Sequence, residues 1–408
     1  MNQLGFASPP LSRRSLVGGL GAGAAYATLR SAGALAQSAG DPLQHEPQPP
    51  ARRLGICVVG VGLLTQGQIL PAFARSRRTK LVALVSGREP VSGHDGGGLE
   101  RTRALAADHG LAPDRVYDYG RFSAIANDPA IDAVYVVLPN FLHRHYTEAA
   151  FAAGKHVLCE KPMATSSADC RAMILAGRRA NRTLMIAYRA QYEPHNLAMI
   201  DFARGARWGR TRFLSLDQGQ NQPIDQTPWR LRKAEAGGGS LTDIGIYGLN
   251  AARYLTGEEP VEIDARISTS PSDPRFSEVE DRVAWRMLFP SGIMANCGCS
   301  YSYDHQTRYT VFKEQGWGEA DPATLYRGNQ VRFGQELAGG ERRYEEPQIE
   351  EVDQFATELD AFAGYVADKQ TPKTPGEEGY QDLRLIEAIY QSARERRPVT
   401  LPGRRFDV

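Results

Sequence analysis

An excess of charge of either sign is missing from this chain: 48 Lys and Arg stand against 47 Asp and Glu, a formal net charge of +1. A near-neutral surface offers no electrostatic footing for nucleic acid or for an anionic membrane. Cysteine is scarce as well. Cys57, Cys159, Cys170, Cys297 and Cys299 are odd in number and irregular in spacing, in a chain of 408 residues, so no disulfide framework is expected. Cys297 and Cys299 would share one face of a strand, but no further ligands accompany them and no metal site is expected. Long hydrophobic runs are also absent. The uncharged stretch 15–29 is Gly- and Ala-rich and shorter than the ~18–20 apolar residues that span a bilayer. What remains is 42% hydrophobic and 23% charged, a soluble globular composition, at a length that suggests two domains.

That short run has a purpose of its own. Arg13-Arg14 precede it, and Ala34-Leu35-Ala36 follows with the small-x-small pattern of a cleavage site. The order reads as a twin-arginine (Tat) signal over residues 1–36, cleaved after Ala36, which carries folded proteins to the periplasm without a membrane anchor. The Tat export machinery is thus an expected partner. Residues 37–53 are Pro-rich without apolar periodicity and read as an extended arm.

From residue 54 the chain alternates. Strands are expected at 54–61, 80–86, 116–118, 131–138, 155–160 and 184–188, and helices at 66–74, 101–109, 141–153 and 167–180. The run Ile131-Asp132-Ala133-Val134-Tyr135-Val136-Val137-Leu138 is apolar enough to be buried on both faces. This pattern predicts a Rossmann-type doubly wound parallel sheet over 54–182, with ligands beyond the carboxyl ends of its strands. The remainder, 183–408, is expected to form a second α+β domain for substrate and oligomer contacts.

Gly60-Val61-Gly62-Leu63-Leu64-Thr65 follows the first strand. Gly60 allows the tight turn and Gly62 lets backbone approach a pyrophosphate at a helix start. The third glycine of the full fingerprint is absent, and Thr65 predicts looser helix–strand packing. The second strand ends Ser86-Gly87-Arg88 without the acid that accepts the ribose hydroxyls of NAD. A hydroxyl and a guanidinium suit the 2′-phosphate of NADP instead. Glu89 lies three residues past the tip. The insert 90–98 is Gly-rich.

Chemistry concentrates at Glu160-Lys161-Pro162, at the end of a strand where the nicotinamide should lie. A lysine there can hold a substrate hydroxyl and favour the anion of a neighbouring acid. Trp229, Arg230 and Gly237-Gly238-Gly239 come later, the glycines allowing close approach to a small ligand. Asp243 and Tyr247 follow at i and i+4 of an expected helix, 241–255, and share one face. Tyr247 could serve as acid/base. On spacing alone the pair is equally a buried tyrosine and an exposed aspartate. Pro139, Asn140 and His143 follow another strand, and Tyr188 ends a further one. His143 is as easily a helix-surface residue, and Tyr192 and His195 are as easily structural.

These segments together resemble the Gfo/Idh/MocA oxidoreductases, and within them the periplasmic glucose–fructose oxidoreductase group. The resemblance rests on Cys159-Glu160-Lys161-Pro162-Met163-Ala164-Thr165, on Trp229-Arg230-Leu231-Arg232, and above all on Gly237-Gly238-Gly239-Ser240-Leu241-Thr242-Asp243-Ile244-Gly245-Ile246-Tyr247-Gly248-Leu249-Asn250. It also takes in Ala153-Gly154-Lys155-His156-Val157 and Pro375-Gly376-Glu377-Glu378-Gly379. It implies Lys161, Tyr247 and Asp243 as catalytic residues, with Arg230 on the sugar. It implies tightly bound NADP, held by Gly60, Gly62, Leu63, Leu64, Ser86, Gly87, Arg88, Pro139, Asn140, His143, Glu160, Lys161, Tyr188, Trp229 and Arg230, with the 37–53 arm closing over it.

It also implies an open-faced, mainly antiparallel sheet that makes a homo-oligomer (dimer or tetramer), and a final helix packing back on the first domain. The activity implied is ping-pong: glucose is oxidised to its lactone, and fructose is reduced to sorbitol with the same cofactor. Alternatives are aldose–aldose exchange, a sugar or inositol dehydrogenase with exchangeable cofactor, and a non-enzymatic sugar- or cofactor-binding protein. Residues 308–343 depart from the group, except Asp321-Pro322-Ala323-Thr324; they are polar and Gly-rich where strands are expected.

Overall fold

The computed structural model describes residues 48–89, 98–223 and 228–408. The export signal expected over 1–36, residues 37–47 of the arm, and residues 90–97 of the Gly-rich insert lie outside them. Residues 48–53 run beside the start of the second strand, where the Gln48 amide donates to the Arg77 carbonyl at 3.0 Å.

Six strands form one parallel sheet: β1 (Leu54–Val59), β2 (Thr79–Ser86), β3 (Val116–Asp118), β4 (Ala133–Val136), β5 (His156–Glu160) and β6 (Leu184–Ala187). Their order is β3-β2-β1-β4-β5-β6, with every pairing parallel. Strand direction of growth reverses between β1 and β4, the switch point where such sheets bind ligands. The strands are apolar on both faces because both are covered. Along β1, Ile56 and Val58 pack into one apolar layer, and Cys57 and Val59 into the other.

Helices α1 (Leu70–Phe73) and α2 (Leu99–Asp108) lie on the first face; α3 (His143–Ala152) and α4 (Ser167–Ala180) lie on the second. Helix α4 shows how local chemistry sets its bounds. The Ser166 hydroxyl accepts from the Asp169 amide at the start, and Asn181 stops the helix in the left-handed region at φ 51°.

The parallel sheet extends past residue 182, because Leu184–Ala187 pairs with β5 as its edge strand. The division expected at 182 therefore falls one strand early. Helix α5 (Pro194–Arg204) begins the second half, followed by α6 (Lys233–Ala236), α7 (Ile246–Thr256), α8 (Gln354–Asp368) and α9 (Gly376–Glu395). Helix α8 returns to the first face of the parallel sheet, contributing Phe355, Leu359 and Phe362 to its core. Helix α9 packs against α4 and β6 on one side and against the second sheet on the other.

That second sheet has nine strands: β7 (Thr211–Asn221), β8 (Glu262–Ser268), β9 (Arg282–Leu288), β10 (Met294–Ser300), β11 (Ser302–Lys313), β12 (Trp317–Ala320), β13 (Val331–Glu336), β14 (Arg342–Glu345) and β15 (Val399–Thr400). The order is β14-β13-β12-β11-β7-β10-β9-β8-β15, antiparallel except where β7 meets β10. The segment 308–343 is therefore sheet despite its composition. Its strands alternate buried and exposed residues, and glycines such as Gly318 and Gly334 make room for Phe202 and Trp317. All five cysteines are buried and unpaired, with Cys297 and Cys299 facing the same side of β10. Among the described residues no helix is long and apolar enough to cross a membrane.

One ion cluster joins α7 to α9. Arg253 is 4% exposed and donates to Glu259 at 2.7 Å, Glu378 at 3.0 Å and Asp382 at 2.6 Å. Removing the cation would leave Asp382 buried without a cation among the described residues, and Glu259 and Glu378 with Arg405 alone. Arg253→Met is expected to lower unfolding free energy by about 3–5 kcal/mol, measured by denaturant titration. A loss below about 1 kcal/mol, the range of exposed pairs, would contradict this role.

Candidate active site

A cleft of about 780 Å³ runs along the carboxyl edge of the parallel sheet and continues onto the inner face of the nine-stranded sheet. Its nucleotide end is set by the turn after β1. Gly60 adopts φ +95°, and a side chain there would strike the Val137 carbonyl at 2.1 Å. Nothing lies within 4 Å of where a Gly62 side chain would begin, so the backbone there is open to phosphate groups. Leu63 is exposed and Leu64 half-buried, both at the cleft wall. Thr65 does not loosen the packing as expected. It is fully buried, and its hydroxyl donates to the Gly60 carbonyl at 2.7 Å, closing the turn.

At the end of β2 the expectations divide. Ser86 is fully buried and accepts from the Thr102 hydroxyl at 2.8 Å; Gly87 has φ +102°; Arg88 is exposed. None of the three lines the cleft, and the cation that does is Arg101, in the first turn of α2. Glu89 is turned inward, accepting from the Tyr146 hydroxyl at 2.8 Å, and does not take the place of a ribose-binding acid. Arg101 escaped the sequence reading because it sits on the helix after β2, not at the strand tip.

The middle of the cleft is lined by Pro139, Asn140, Glu160 and Lys161. Asn140 donates to the Ala236 carbonyl at 2.8 Å. Glu160 accepts from the Tyr135 hydroxyl at 2.7 Å and from the Lys161 amide at 3.2 Å. Burial raises its pKa, against the pull of Tyr135, Lys161 and Arg189.

His143 does not belong to this lining. Its ring is fully buried, with one nitrogen 3.0 Å from the Pro162 carbonyl and the other 2.8 Å from the Leu138 carbonyl. It braces the two loops that carry Asn140 and Lys161. Tyr188 is also turned away, buried beside Asp382, where burial and that carboxylate push its pKa well up. Tyr192 and His195 are buried and engaged elsewhere, with Thr374 at 3.1 Å and Glu193 at 2.6 Å. Gly237–Gly239 serves packing within the protein rather than ligand approach. A side chain at Gly238 would strike the Tyr390 hydroxyl, and one at Gly239 the Glu280 carbonyl.

The chemistry gathers around Asp243. Lys161 Nζ donates to the Asp243 carbonyl at 2.6 Å and lies 3.4 Å from its Oδ1. Arg230 Nε and the Tyr301 hydroxyl donate to Oδ2 at 3.1 and 2.7 Å. Burial alone would raise the Asp243 pKa, but Arg230, Lys161 and Tyr301 outweigh it and hold the carboxyl well below the usual range. Burial likewise opposes the Lys161 cation, yet Tyr247, Asp243 and Glu160 raise its pKa above an ordinary lysine. Trp229 lies under the Arg230 guanidinium at 4.5 Å, where it orients that side chain. Asp243 and Tyr247 both line the cleft, although 241–245 forms a π turn and only Ile246–Thr256 is α-helical.

Tyr247 stands between two cations. Lys161 Nζ is 4.6 Å from its ring centre and the Arg189 guanidinium 5.2 Å. Arg189 Nη2 also donates to the Tyr247 oxygen at 3.1 Å and to the Thr324 carbonyl at 2.8 Å. Gln354 holds its other branch, and Tyr326 stacks on it at 4.6 Å. Because Arg189 uses a lone pair of the phenol oxygen, the O–H proton is left to be aimed at a ligand. Sequence reading placed Tyr188 here, but β6 ends at Ala187, and Ala187 and Arg189 face the cleft while Tyr188 does not. Parity past the strand end was the available signal.

Arg189→Met is expected to reduce kcat by roughly tenfold or more, the worth of a charged hydrogen bond, with nucleotide binding kept. Unchanged steady-state kinetics would remove Arg189 from the site.

Models of two domains match the chain: "Oxidoreductase family, NAD-binding Rossmann fold" over residues 54–188, and "Oxidoreductase family, C-terminal alpha/beta domain" over 214–401. D-xylose 1-dehydrogenase [NADP(+)] of Haloarcula marismortui is 29% identical over 350 residues, 84% of this chain and 92% of that protein. The 1,5-anhydro-D-fructose reductase of Ensifer adhaerens is 30% identical over 298 residues, 72% of this chain and 86% of that protein. The crystal structure of aldose-aldose oxidoreductase from Caulobacter crescentus, complexed with glycerol, has a TM-score of 0.79 and 45% identity. That match covers 86% of this chain and all of the other. The turn at Gly60, the strand order and the two matched domains make this chain a member of the GFO/IDH/MocA oxidoreductase family, with its nucleotide-binding Rossmann domain.

Proposed function

We propose that this protein is an exported sugar oxidoreductase. It would use NADP held in place to oxidise one aldose and reduce a second sugar at the same site. The observation that carries the reading is the convergence of Lys161, Asp243 and Tyr247 at the carboxyl ends of the strands, in one cleft with Gly60 and Gly62. The residues present fit a dinucleotide: an open backbone turn at Gly62, Arg101 for a phosphate, and Glu89 turned away from the ribose. A nucleotide held at the Gly60–Gly62 turn and Arg101 would supply the hydride chemistry between the two sugars.

The chain's own residues do the rest. Lys161 holds the sugar oxygen that reacts. As the phenolate, beside the Lys161 and Arg189 cations, Tyr247 takes the carbinol proton as the C–H electrons leave; as the phenol so formed, it returns that proton to the carbonyl oxygen of the second sugar. Positive charge from Lys161 and Arg189 lies where negative charge develops on these oxygens. Asp243 and Arg230 fix Lys161 and border the sugar. Similarity to the Caulobacter aldose-aldose enzyme favours an aldose on both sides of the exchange. Glucose with fructose is the second reading, carried by the Gly237-to-Asn250 motif.

Periplasmic export through the twin-arginine route belongs to the same proposal, since no nucleotide pool waits outside and a retained cofactor must be regenerated in place. The proposal includes a homo-oligomer built on the outer face of the nine-stranded sheet. Leu288, Met294, Phe213, Phe312 and Trp317 stand in register across five strands, with Tyr344 6.0 Å beyond Trp317. Four of the six are more than a third exposed. A continuous apolar row of this kind suits a second copy of the sheet.

Dialysed protein is expected to retain nucleotide, gain the reduced-nicotinamide absorbance with glucose, and lose it with a second sugar. Tyr247→Phe should keep the nucleotide and slow the first change by roughly 10²–10⁴-fold. Protein free of nucleotide would instead favour an exchangeable dehydrogenase. Phe312→Asp is expected to dissociate the oligomer in light scattering without altering the spectrum; a monomeric parent protein would contradict the sheet interface.

A further inference from the structure

We infer that Gln218 reads a sugar hydroxyl remote from the reacting carbon; the inference rests on the sugar reading above. Strand β7 turns Leu214, Leu216 and Gln218 to the inner face, beneath α7. The two leucines are fully buried, as an inner face requires. At the next inward position the pattern breaks, and an amide only 2% exposed takes the place of an apolar side chain. It packs beside Gly248, the residue after Tyr247, and lines the cleft.

That amide is half satisfied. Its Oε1 accepts from the Thr324 hydroxyl at 3.3 Å, while its buried Nε2 has no hydrogen-bond partner among the described residues. Exchanging the amide oxygen and nitrogen changes nothing essential, since a hydroxyl can serve either end and one end stays open. Its neighbours differ. Gln220 donates to Gln222 at 2.7 Å, and the Thr307 hydroxyl accepts from the amides of Ala323 and Thr324. A buried, unmatched amide is uncommon, because leaving it so costs about 1–3 kcal/mol. Because the residue lines the cleft, a small turn of its side chain would let a ligand group there take up the unmatched end.

The place of the open end selects the ligand. Thr324 is shared: its hydroxyl meets Gln218, and its carbonyl accepts from Arg189, which donates to Tyr247. One residue therefore separates the open amide from the group that positions the proton-transfer oxygen. A cyclic sugar with one oxygen at Lys161 and Tyr247 carries further hydroxyls on adjoining carbons. Each can donate or accept, which suits either end of the amide. Thr324 lies in Asp321-Pro322-Ala323-Thr324, so this stretch acquires a role in holding the amide.

The test compares the parent protein with Gln218→Leu and Gln218→Glu. Each is assayed with glucose and with a set of glucoses lacking one hydroxyl. Bound nucleotide and melting temperature are measured alongside. Gln218→Leu is expected to raise KM for glucose roughly tenfold, the effect of a lost hydroxyl contact, with kcat within about threefold and nucleotide content unchanged. One deoxyglucose, already poor with the parent, should suffer no further loss in Gln218→Leu; that identifies the hydroxyl. Melting temperature should hold, since the unmatched amide is gone while the Thr324 hydroxyl loses only a long bond.

Equal added loss across every deoxyglucose, unchanged KM, loss of nucleotide, or a lowered melting temperature would each overturn the assignment. Gln218→Glu should also raise KM while keeping side-chain volume; a wild-type KM there would overturn it too. If the parent's nucleotide stays oxidised with every sugar, the sugar reading falls, and this inference falls with it.

Discussion

Asp243 carries a negative charge in a place from which most water is excluded, and that charge must be answered on every side. Its answers come from different parts of the chain. Lys161 arrives from the end of β5, Arg230 from the segment before α6, and Tyr301 from the junction of β10 and β11. The parallel sheet and the nine-stranded sheet therefore meet at one carboxylate. The same pairing keeps Lys161 a cation despite its burial, so the ammonium at the cleft does not depend on pH near neutrality.

From that anchor the cleft has two walls of different character. The parallel sheet contributes backbone and fixed charge: the Gly60 turn, Lys161 and Arg189. The second half contributes polar side chains, Gln218 and Thr324 among them. Division of labour follows. On the proposed reading, nucleotide geometry would belong to the wall built on strand ends, choice of sugar to the wall built on a sheet face, and proton transfer to Tyr247 on α7 between them. Arg189 and Thr324 touch across the join, so neither wall can shift alone.

Much of this was legible in the sequence, and the failures have physical causes. Strand–helix alternation read true through β6, because strands covered on both faces must be apolar runs. Gly60 was legible because a tight turn between a strand and a helix needs positive φ. The placement of Asp243 and Tyr247 on one cleft survived although their helix begins with a π turn. Tyr188 and His143 were misassigned because a position near a strand end says little about which way a ring turns. One-residue parity hid Arg189 behind Tyr188. The 308–343 strands were obscured because half of each strand faces outward and is polar. Arg189, Tyr301 and Gln218 act through partners 58 to 135 residues away in sequence, which local pattern does not reveal.

In the proposed reaction two sugars exchange electrons at one site through a nucleotide that never leaves. The direct test supplies an aldose deuterated at its reacting carbon together with an unlabelled acceptor sugar, in ordinary water and without added nucleotide. Mass spectrometry of the reduced product should find the deuterium on its new carbinol carbon. Product formed without deuterium, or no product unless free nucleotide is added, would contradict the account.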